Sequence, residues 1–143
     1  MRRQVMLSIA VLAVATVFLA VQWGRQDLGT GVSVGAVGAV VTAAFGWRSL
    51  RRGRHTPWSR ARALIADDHA VVLWKPGCRY CERLLRRLGP DQRITWVNVW
   101  HDPEAQAKVC ALNGGDEYTP TAIVGTEVLR NPSADELLAR LPH

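Results

Sequence analysis

Apolar positions form two continuous runs near the N-terminus of this chain and shorter periodic patterns after about residue 70. The runs cover residues 5–21 and 32–47, and neither contains a charged side chain. With their uncharged neighbours, both approach the ~20 residues that a helix needs to cross the hydrocarbon core of a bilayer. The pattern predicts a two-helix transmembrane hairpin over residues 1–50, with Trp23 and Trp47 at the membrane–water boundary.

Both runs allow more than one interpretation. Small residues recur every four positions in the second run, at Gly31, Gly35, Ala39 and Ala43. This ridge would let the first helix approach closely, with Ala13 and Ala20 facing it. Gly and Ala are, however, frequent in membrane helices generally. A cleaved signal peptide over residues 1–23 is the alternative for the first run, although the apolar core exceeds the about 7–15 residues typical of such signals.

The next segment, residues 51–69, begins as a basic juxtamembrane linker and then acquires a helical pattern. Pro57 stands where a first helical turn would begin, and Thr56 precedes it as the predicted N-cap. Apolar residues follow at helical spacing, at Trp58, Ala61, Leu64 and Ile65. We expect a short spacer or lid helix here.

From residue 70 onward, strand and helix patterns alternate, and together they predict one α/β domain over residues 70–143. Apolar and β-branched runs predict strands at 70–74, 94–100, 121–124 and 127–130. Helical patterns lie between or after them: one begins at Cys78 and runs through Leu88, one is opened by Asp102-Pro103 and runs through Leu112, and one covers residues 134–141. The order βαβαββα places two parallel strands in a βαβ unit and an antiparallel hairpin at the edge of the same sheet.

Charge is divided unevenly along the chain. Residues 1–62 contain nine arginines and one acidic residue, Asp27, whereas residues 63–143 contain nine basic and eleven acidic residues. The net charge of +6 therefore comes from segments that flank the apolar runs, which argues against a nucleic-acid-binding surface. Because Lys and Arg concentrate in cytoplasmic loops, the distribution predicts that both ends lie in the cytoplasm. The arginines that decide this orientation are Arg2, Arg3, Arg48, Arg51, Arg52, Arg54, Arg60 and Arg62.

Two cysteines separated by two residues, Cys78 and Cys81, follow the first predicted strand. At a helix N-terminus, unpaired N–H groups and the helix dipole favour the thiolate, which is the species that attacks disulfides. Cys78 is the expected nucleophile, and the adjacent Arg79 should favour its thiolate further. Cys81, one turn later, would resolve a mixed disulfide or act as a bystander. Three cysteines in total do not make a structural disulfide framework.

The chain resembles the mycoredoxins, which are glutaredoxin-like enzymes of the thioredoxin superfamily, over residues 70–141. The landmarks that carry the resemblance are Cys78-Arg79-Tyr80-Cys81, Asn113-Gly114-Gly115, Thr119-Pro120-Thr121 and Asn131-Pro132-Ser133. It implies a glutaredoxin-type thioredoxin fold in a bacterial cell that uses mycothiol. It also implies reduction of protein disulfides, or of mixed disulfides with mycothiol or glutathione, and no bound cofactor. Arg79 departs from the proline usual in glutaredoxins, and Tyr118-Thr119-Pro120 replaces the more usual Thr-Val-Pro.

The resemblance also implies a substrate groove around the cysteines. Pro120 would follow a cis peptide bond that faces the active-site sulfur, and the backbone of Thr119 would pair with an extended substrate. From the residues themselves, Lys75 and Arg79 could attract an anionic partner, and Tyr80 could pack over apolar parts of the bound thiol. An ordinary trans proline and a surface tyrosine are the alternatives at Pro120 and Tyr80.

Two other functions compete with a cytoplasmic redox enzyme. The first is a metal-binding module that uses Cys78, Cys81, Cys110 and His101, although the spacing from His101 to Cys110 does not match a zinc finger. Otherwise we expect Cys110 in the core and His101 on the surface. The second is an extracytoplasmic thiol oxidase, which requires that the second apolar run does not cross the plasma membrane.

Overall fold

The two apolar runs form long helices, as predicted. In the computed structural model, α1 spans Arg2–Gly24 and α2 spans Leu28–Leu50. The stretches Met6–Gly24 and Leu28–Trp47 are each long and apolar enough to cross a membrane. Many of their large side chains are exposed, with Val14 at 70% and Val40 at 68%. Helices that expose this much apolar surface are stable where the surface contacts other apolar groups and not water.

Glycine lets α1 and α2 lie against each other. A Cβ atom at Gly31 would collide with the backbone of Gly24, and one at Gly38 would collide with the Thr16 side chain. A Cβ atom at Gly35 would stand 3.4 Å from that of Ala20, an ordinary tight contact. The helices therefore approach along the glycine side of α2, which is the side that the ridge of small residues predicts.

The structure describes residues 2–50 and 53–142, with side chains for residues 6–47 and 53–142. Arg51 and Arg52 lie outside the described residues, as do the side chains of Arg2, Arg3 and Arg48. The chain divides into two compact units, Met1–Arg51 and Arg52–His143.

The second unit is a mixed α/β structure. Its helices are α3 (Trp58–Ala61), α4 (Arg79–Leu88), α5 (Pro103–Leu112) and α6 (Ala134–Leu138), and its strands are β1 (Ala70–Trp74), β2 (Ile94–Asn98), β3 (Thr121–Val124) and β4 (Glu127–Arg130). A 3₁₀ turn, Arg62–Leu64, continues α3.

Two elements are shorter than predicted. β2 stops at Asn98, whose side-chain oxygen accepts the N–H of Trp100 at 3.0 Å, and after Leu138 the chain makes i to i−3 bonds at Arg140 and Leu141.

The four strands form one mixed sheet in the order β2-β1-β3-β4. β1 runs parallel to β2, with Trp74 opposite Asn98, and antiparallel to β3, with Leu73 opposite Thr121. β3 and β4 form the predicted antiparallel hairpin. The sequence prediction of an α/β unit with a parallel pair and an antiparallel edge is therefore confirmed.

β1 is buried along its whole length because helices cover both faces of the sheet. Val72 and Trp74 face one cluster, which includes Leu84 and Leu88 of α4 and Leu137 of α6. Val71 and Leu73 face the other cluster, which includes Trp58 of α3 and Val109 of α5. The sheet thus separates a face covered by α4 and α6 from a face covered by α3 and α5.

Residues 54–58 cover the exposed edge of the sheet along β2. The N–H of Thr56 donates to the carbonyl of Trp96 at 2.8 Å, and the N–H of Asn98 donates to Nδ1 of His55 at 3.2 Å. The indole N–H of Trp74 donates to the carbonyl of Arg54 at 2.8 Å. The segment before β1 therefore belongs to the second unit and occupies hydrogen-bonding groups that an edge strand otherwise leaves open.

One carboxylate caps two helices of the same face. Oδ1 of Asp102 accepts the N–H of Ala105 in α5 at 3.0 Å, and Oδ2 accepts the N–H of Trp58 in α3 at 2.6 Å. The prediction of Thr56 as the N-cap of α3 is wrong, because Pro57 holds that position and the backbone of Thr56 is engaged with β2. The oxygen that caps α3 belongs instead to Asp102, 44 residues after Trp58.

Asp102 is expected to contribute to the stability of the second unit through both caps. Asp102→Ala should lower its free energy of unfolding by about 2 kcal/mol, since each lost cap costs about 1 kcal/mol. Asp102→Asn keeps one acceptor oxygen and should lose about half as much. Urea unfolding of the full chain in non-ionic detergent measures both variants. Equal stability of the Ala variant and the parent protein would contradict the double cap.

Candidate active site

A tight turn joins β1 to α4 and presents Cys78 at the start of the helix. Gly77 adopts φ +76°, a left-handed conformation that glycine tolerates without a steric cost. Cys78 is the N-cap residue of α4, and its Sγ accepts the backbone N–H of Cys81 at 3.2 Å. The sulfur therefore takes the position that a Ser or Asp oxygen usually occupies at a helix start.

A second loop meets Cys78 from the other side. The Thr119–Pro120 peptide bond is cis, as the resemblance implied. In its thiol form, Sγ of Cys78 donates to the carbonyl oxygen of Thr119 at 3.4 Å, a distance typical of a weak thiol hydrogen bond. The carbonyl of Pro120 accepts the N–H of Asn131 at 2.8 Å, which connects this loop to the turn before α6. The loop that carries Cys78 therefore meets the Thr119–Pro120 loop at the sulfur, and the turn at Asn131 holds that second loop from behind.

The surroundings of Cys78 favour its thiolate. The pKa of Cys78 is lowered to about 6, and a hydrogen bond from the Cys81 thiol contributes most to this shift, against the opposing effect of partial burial. The backbone N–H groups of Cys81 and Tyr80 add to the lowering, as does the hydroxyl of Thr119. At neutral pH the half-buried Cys78 is therefore mostly ionised.

Cys81 has the opposite character. It is completely buried, and burial raises the pKa of its thiol well above the ordinary value, with the hydrogen bond to Cys78 acting in the same direction. The pair therefore consists of a nucleophilic thiolate and a neutral thiol that donates to it. Neither cysteine is bonded to another cysteine, so this arrangement is the reduced state of the site.

Lys75, predicted to bind an anionic partner, is held inside the protein by a carboxylate. Its ammonium lies 2.9 Å from Oε1 of Glu117, whose side chain is 6% exposed. Burial raises the pKa of Glu117, but hydrogen bonds from Lys75, Gln106 and Trp100 outweigh it and leave the pKa below its usual range. The positive charge of Lys75 is thus largely balanced, and the pair connects the loop before Cys78 to the loop that carries Thr119.

The sequence pattern does not single out Glu117 as a site residue. The indole of Trp100 donates to its Oε1 at 3.1 Å, and the amide of Gln106 donates to its Oε2 at 2.7 Å. An acidic residue two positions before a Thr-Pro pair carries no recognisable sequence signal. Its role depends on donors from the loop after β1, from α5 and from the loop between β2 and α5, which only the fold brings together.

Arg79 and Tyr80 are both exposed on the first turn of α4. Arg79, predicted to favour the Cys78 thiolate, is not among the main causes of the lowered pKa, which are hydrogen bonds within the turns. Cζ of Arg83 lies 5.9 Å from the centre of the Tyr80 ring, within the range of a cation–π contact.

A groove of about 360 Å³ begins at Tyr80 and continues to the turn before α6. Residues of α4 form one wall, and the residues around Asn131-Pro132-Ser133 form the other. Ser133 caps α6 in a reciprocal box, since its Oγ accepts the N–H of Glu136 at 3.2 Å and its own N–H donates to that carboxylate at 2.7 Å. The capping box fixes the start of α6, and with it the wall of the groove at Asn131-Pro132-Ser133.

Asn113 connects the end of α5 to the β3–β4 hairpin. Its amide nitrogen donates to the carbonyl of Val109 at 2.7 Å and to Oγ1 of Thr121 at 3.1 Å, and its oxygen accepts from Arg130 at 2.9 Å. The landmark at Asn113 is thus a structural junction that holds the strand following Pro120.

The alternative zinc ligands do not come together. Cys110 is half-buried against the cluster on the α3 and α5 face, whereas Cys78 and Cys81 belong to the opposite cluster. His101 is half-buried with its ring centre 6.4 Å from that of His55. Within residues 2–50 and 53–142, no group of three or more His, Cys, Asp or Glu side chains is arranged to hold a metal ion.

No protein-family model matches this chain, and no curated protein matches it either.

The thiol of Cys81 is expected to control the reactivity of Cys78. The rate of alkylation of Cys78 by iodoacetamide should rise with pH through a midpoint near 6, because the thiolate forms above its pKa. In Cys81→Ala the midpoint should move upward by about one unit or more, toward the ordinary value near 8.5. Mass spectrometry of the Cys78 peptide measures these rates.

Two further variants serve as controls for this prediction. Cys81→Ser keeps a hydroxyl donor and should show a midpoint between those of the parent and the Ala variant. Cys110→Ala removes a thiol on the other face and should leave the midpoint unchanged. An unchanged midpoint in Cys81→Ala would contradict the assignment of the Cys81 thiol as the main cause.

Proposed function

We propose that this chain is a thiol–disulfide oxidoreductase that reduces disulfides through Cys78, with a low-molecular-weight thiol as the source of electrons. The observation that carries the proposal is the pKa of Cys78, lowered to about 6 by a neighbouring thiol that stays protonated. A thiolate that is half-exposed at a helix N-terminus is the arrangement that reactive cysteines use. Cys78 is the attacking sulfur, and Cys81 stabilises its thiolate.

The reaction consists of thiol–disulfide exchanges in which atoms and electrons balance. The Cys78 thiolate attacks one sulfur of a mixed disulfide between a protein and the small thiol. The protein thiolate leaves and takes a proton from water, and the small thiol remains joined to Cys78. A second molecule of the small thiol then attacks that disulfide, which regenerates Cys78 and produces the oxidised dimer of the small thiol.

A dithiol route leads to the same result for a protein disulfide. Cys81 loses its proton and attacks the mixed disulfide on Cys78, which releases the reduced protein and forms a Cys78–Cys81 disulfide. Two molecules of the small thiol reduce this disulfide and are oxidised to their dimer. The raised pKa of Cys81 makes this proton loss the demanding step of the route.

The sheet order and the cis bond before Pro120 support a glutaredoxin-type thioredoxin fold for the second unit. The landmarks at Asn113, Thr119-Pro120 and Asn131 are joined by hydrogen bonds around Cys78, which is consistent with the resemblance to mycoredoxins. On this basis mycothiol is the proposed thiol co-substrate, and the groove that begins at Tyr80 is its proposed binding site.

We also propose that α1 and α2 cross the bacterial plasma membrane as a hairpin and leave the redox unit in the cytoplasm. Both helices have the length and apolar composition for this role. The excess of arginine before α1 and after α2 supports this orientation. A reducing role agrees with a cytoplasmic position, where thiols are kept reduced.

The full chain in non-ionic detergent should reduce bis(2-hydroxyethyl) disulfide when mycothiol is supplied. Mycothiol, glutathione, and NADPH with thioredoxin reductase are offered separately, and we expect turnover to be fastest with mycothiol. Cys78→Ser should reduce the rate to that of the uncatalysed reaction, because a serine hydroxyl is not ionised near neutral pH and cannot replace the thiolate as the nucleophile. Cys110→Ser is the matched control and should retain the parent rate. Retained activity in Cys78→Ser would refute the proposed function.

Reporter fusions test the proposed orientation. Alkaline phosphatase, which is active only outside the cytoplasm, should be inactive when it is fused after His143. The same reporter inserted in the α1–α2 linker at Asp27 should be active, which controls for expression and folding. Activity after His143 would place the redox unit outside and would favour the thiol oxidase instead.

A further inference from the structure

The exposed side of α4 carries a row of arginines that begins beside the reactive cysteine. Arg79, Arg83 and Arg86 occupy positions i, i+4 and i+7, which lie on one side of a helix. All three are exposed, and none has a carboxylate partner in the described part of the chain. We call these three residues the arginine row.

The charge of the arginine row is local. The second unit, residues 52–143, contains thirteen basic and eleven acidic residues, so it is close to neutral and the row does not reflect a generally basic unit. The neighbouring Arg87 is already paired with Asp135 at 2.7 Å, and Lys75 is paired with Glu117. Glu82, the acidic residue of the helix, is buried on its other side. Uncompensated positive charge is thus concentrated on one line of α4.

We propose that the arginine row is a docking surface for acidic polypeptide segments that contain the disulfide to be reduced. This inference rests on the proposed function and specifies its substrate class. Complementary charge at a docking surface accelerates encounter and selects among partners. Because the row begins at the residue after Cys78, a segment bound along it brings its own sulfur to the reacting atom.

The length of the row favours a polypeptide as its partner. Arg79 and Arg86 are seven residues apart, which corresponds to about 10 Å along the helix axis. That distance matches about three residues of an extended chain. Arg83 is the middle residue of the row, and its contact with the Tyr80 ring holds its guanidinium toward the end of α4 that carries Cys78. Substrates should therefore carry acidic residues within about five positions of the reactive cysteine.

The test compares matched peptides whose single cysteine forms a mixed disulfide with 2-mercaptoethanol. The cysteine is flanked by three Glu, three Gln or three Lys residues, so that the peptides differ mainly in charge. The full chain is used in non-ionic detergent with dithiothreitol as a neutral reductant. Each rate is normalised to the rate with dithiothreitol alone, which corrects for the effect of flanking charge on the disulfide itself.

At low salt, kcat/KM for the Glu peptide should exceed that for the Gln peptide by about tenfold, and the Lys peptide should be the poorest substrate. The difference should shrink as salt is added, because exposed charges are screened. Arg83→Glu combined with Arg86→Glu should bring the ratio of the Glu to the Gln peptide to one or below. The readout is the ratio of the Glu-peptide rate to the Gln-peptide rate within each variant. A change in the chemical step alters both rates equally and leaves this ratio unchanged.

Arg60→Glu combined with Arg62→Glu is the matched control. It makes the same change in net charge at exposed residues of α3 and the adjoining turn, on the other face of the sheet. The control should retain the tenfold ratio. Equal rates with the Glu and Gln peptides in the parent would overturn the inference while leaving the proposed function intact, whereas no catalysis with either peptide would refute the proposed function.

Anionic lipid is the competing partner for a row of arginines. The parent and the Arg83→Glu, Arg86→Glu variant are therefore also compared in nanodiscs of neutral lipid and of anionic lipid. If the parent shows no peptide preference in detergent and only the parent is slowed by anionic lipid, the row binds the membrane and the inference is wrong. A peptide preference that persists in neutral nanodiscs supports it.

Discussion

The backbone N–H of Cys81 donates to the sulfur of Cys78, and this contact links the start of α4 to the chemistry of the site. A helix leaves its first N–H groups without partners, and most proteins satisfy them with an oxygen. Here the reactive sulfur itself accepts the bond, so the group that caps the helix also carries the negative charge. The strand before the turn is buried from end to end, which fixes the position from which the sulfur is presented.

The strands and most of the helices of the second unit could be predicted because their signals are local. The run at Ala70–Trp74 is apolar and followed by a Pro-Gly turn, and α5 begins with Asp102-Pro103 and ends at Asn113. Such residues act on neighbours within one or two turns, so their effect can be deduced without knowledge of the fold. The position of Cys78 at the strand-to-helix turn follows from the same signals.

Contacts between distant segments could not be predicted. Thr56 has the composition and position of an N-cap, yet the carboxylate that caps α3 is that of Asp102. Lys75 resembles a free cation beside the cysteines until the fold places Glu117 against it, 42 residues away in sequence. Both contacts involve a charged side chain, and the partner of such a side chain is decided by tertiary structure. The neutralisation of Lys75 also explains why the arginines of α4, and not the lysine before the cysteines, provide the available positive charge of the site.

The placement of Cys110 limits which disulfides can form within the second unit. A disulfide requires two Cα atoms within about 7 Å, and side chains packed against opposite faces of a sheet do not meet that condition. Cys78 and Cys110 pack against different faces of β1. The third thiol is therefore insulated from the other two, and oxidation of the site cannot be diverted into a scrambled intramolecular pairing. A chain with an odd number of cysteines thereby keeps a single internal oxidised form.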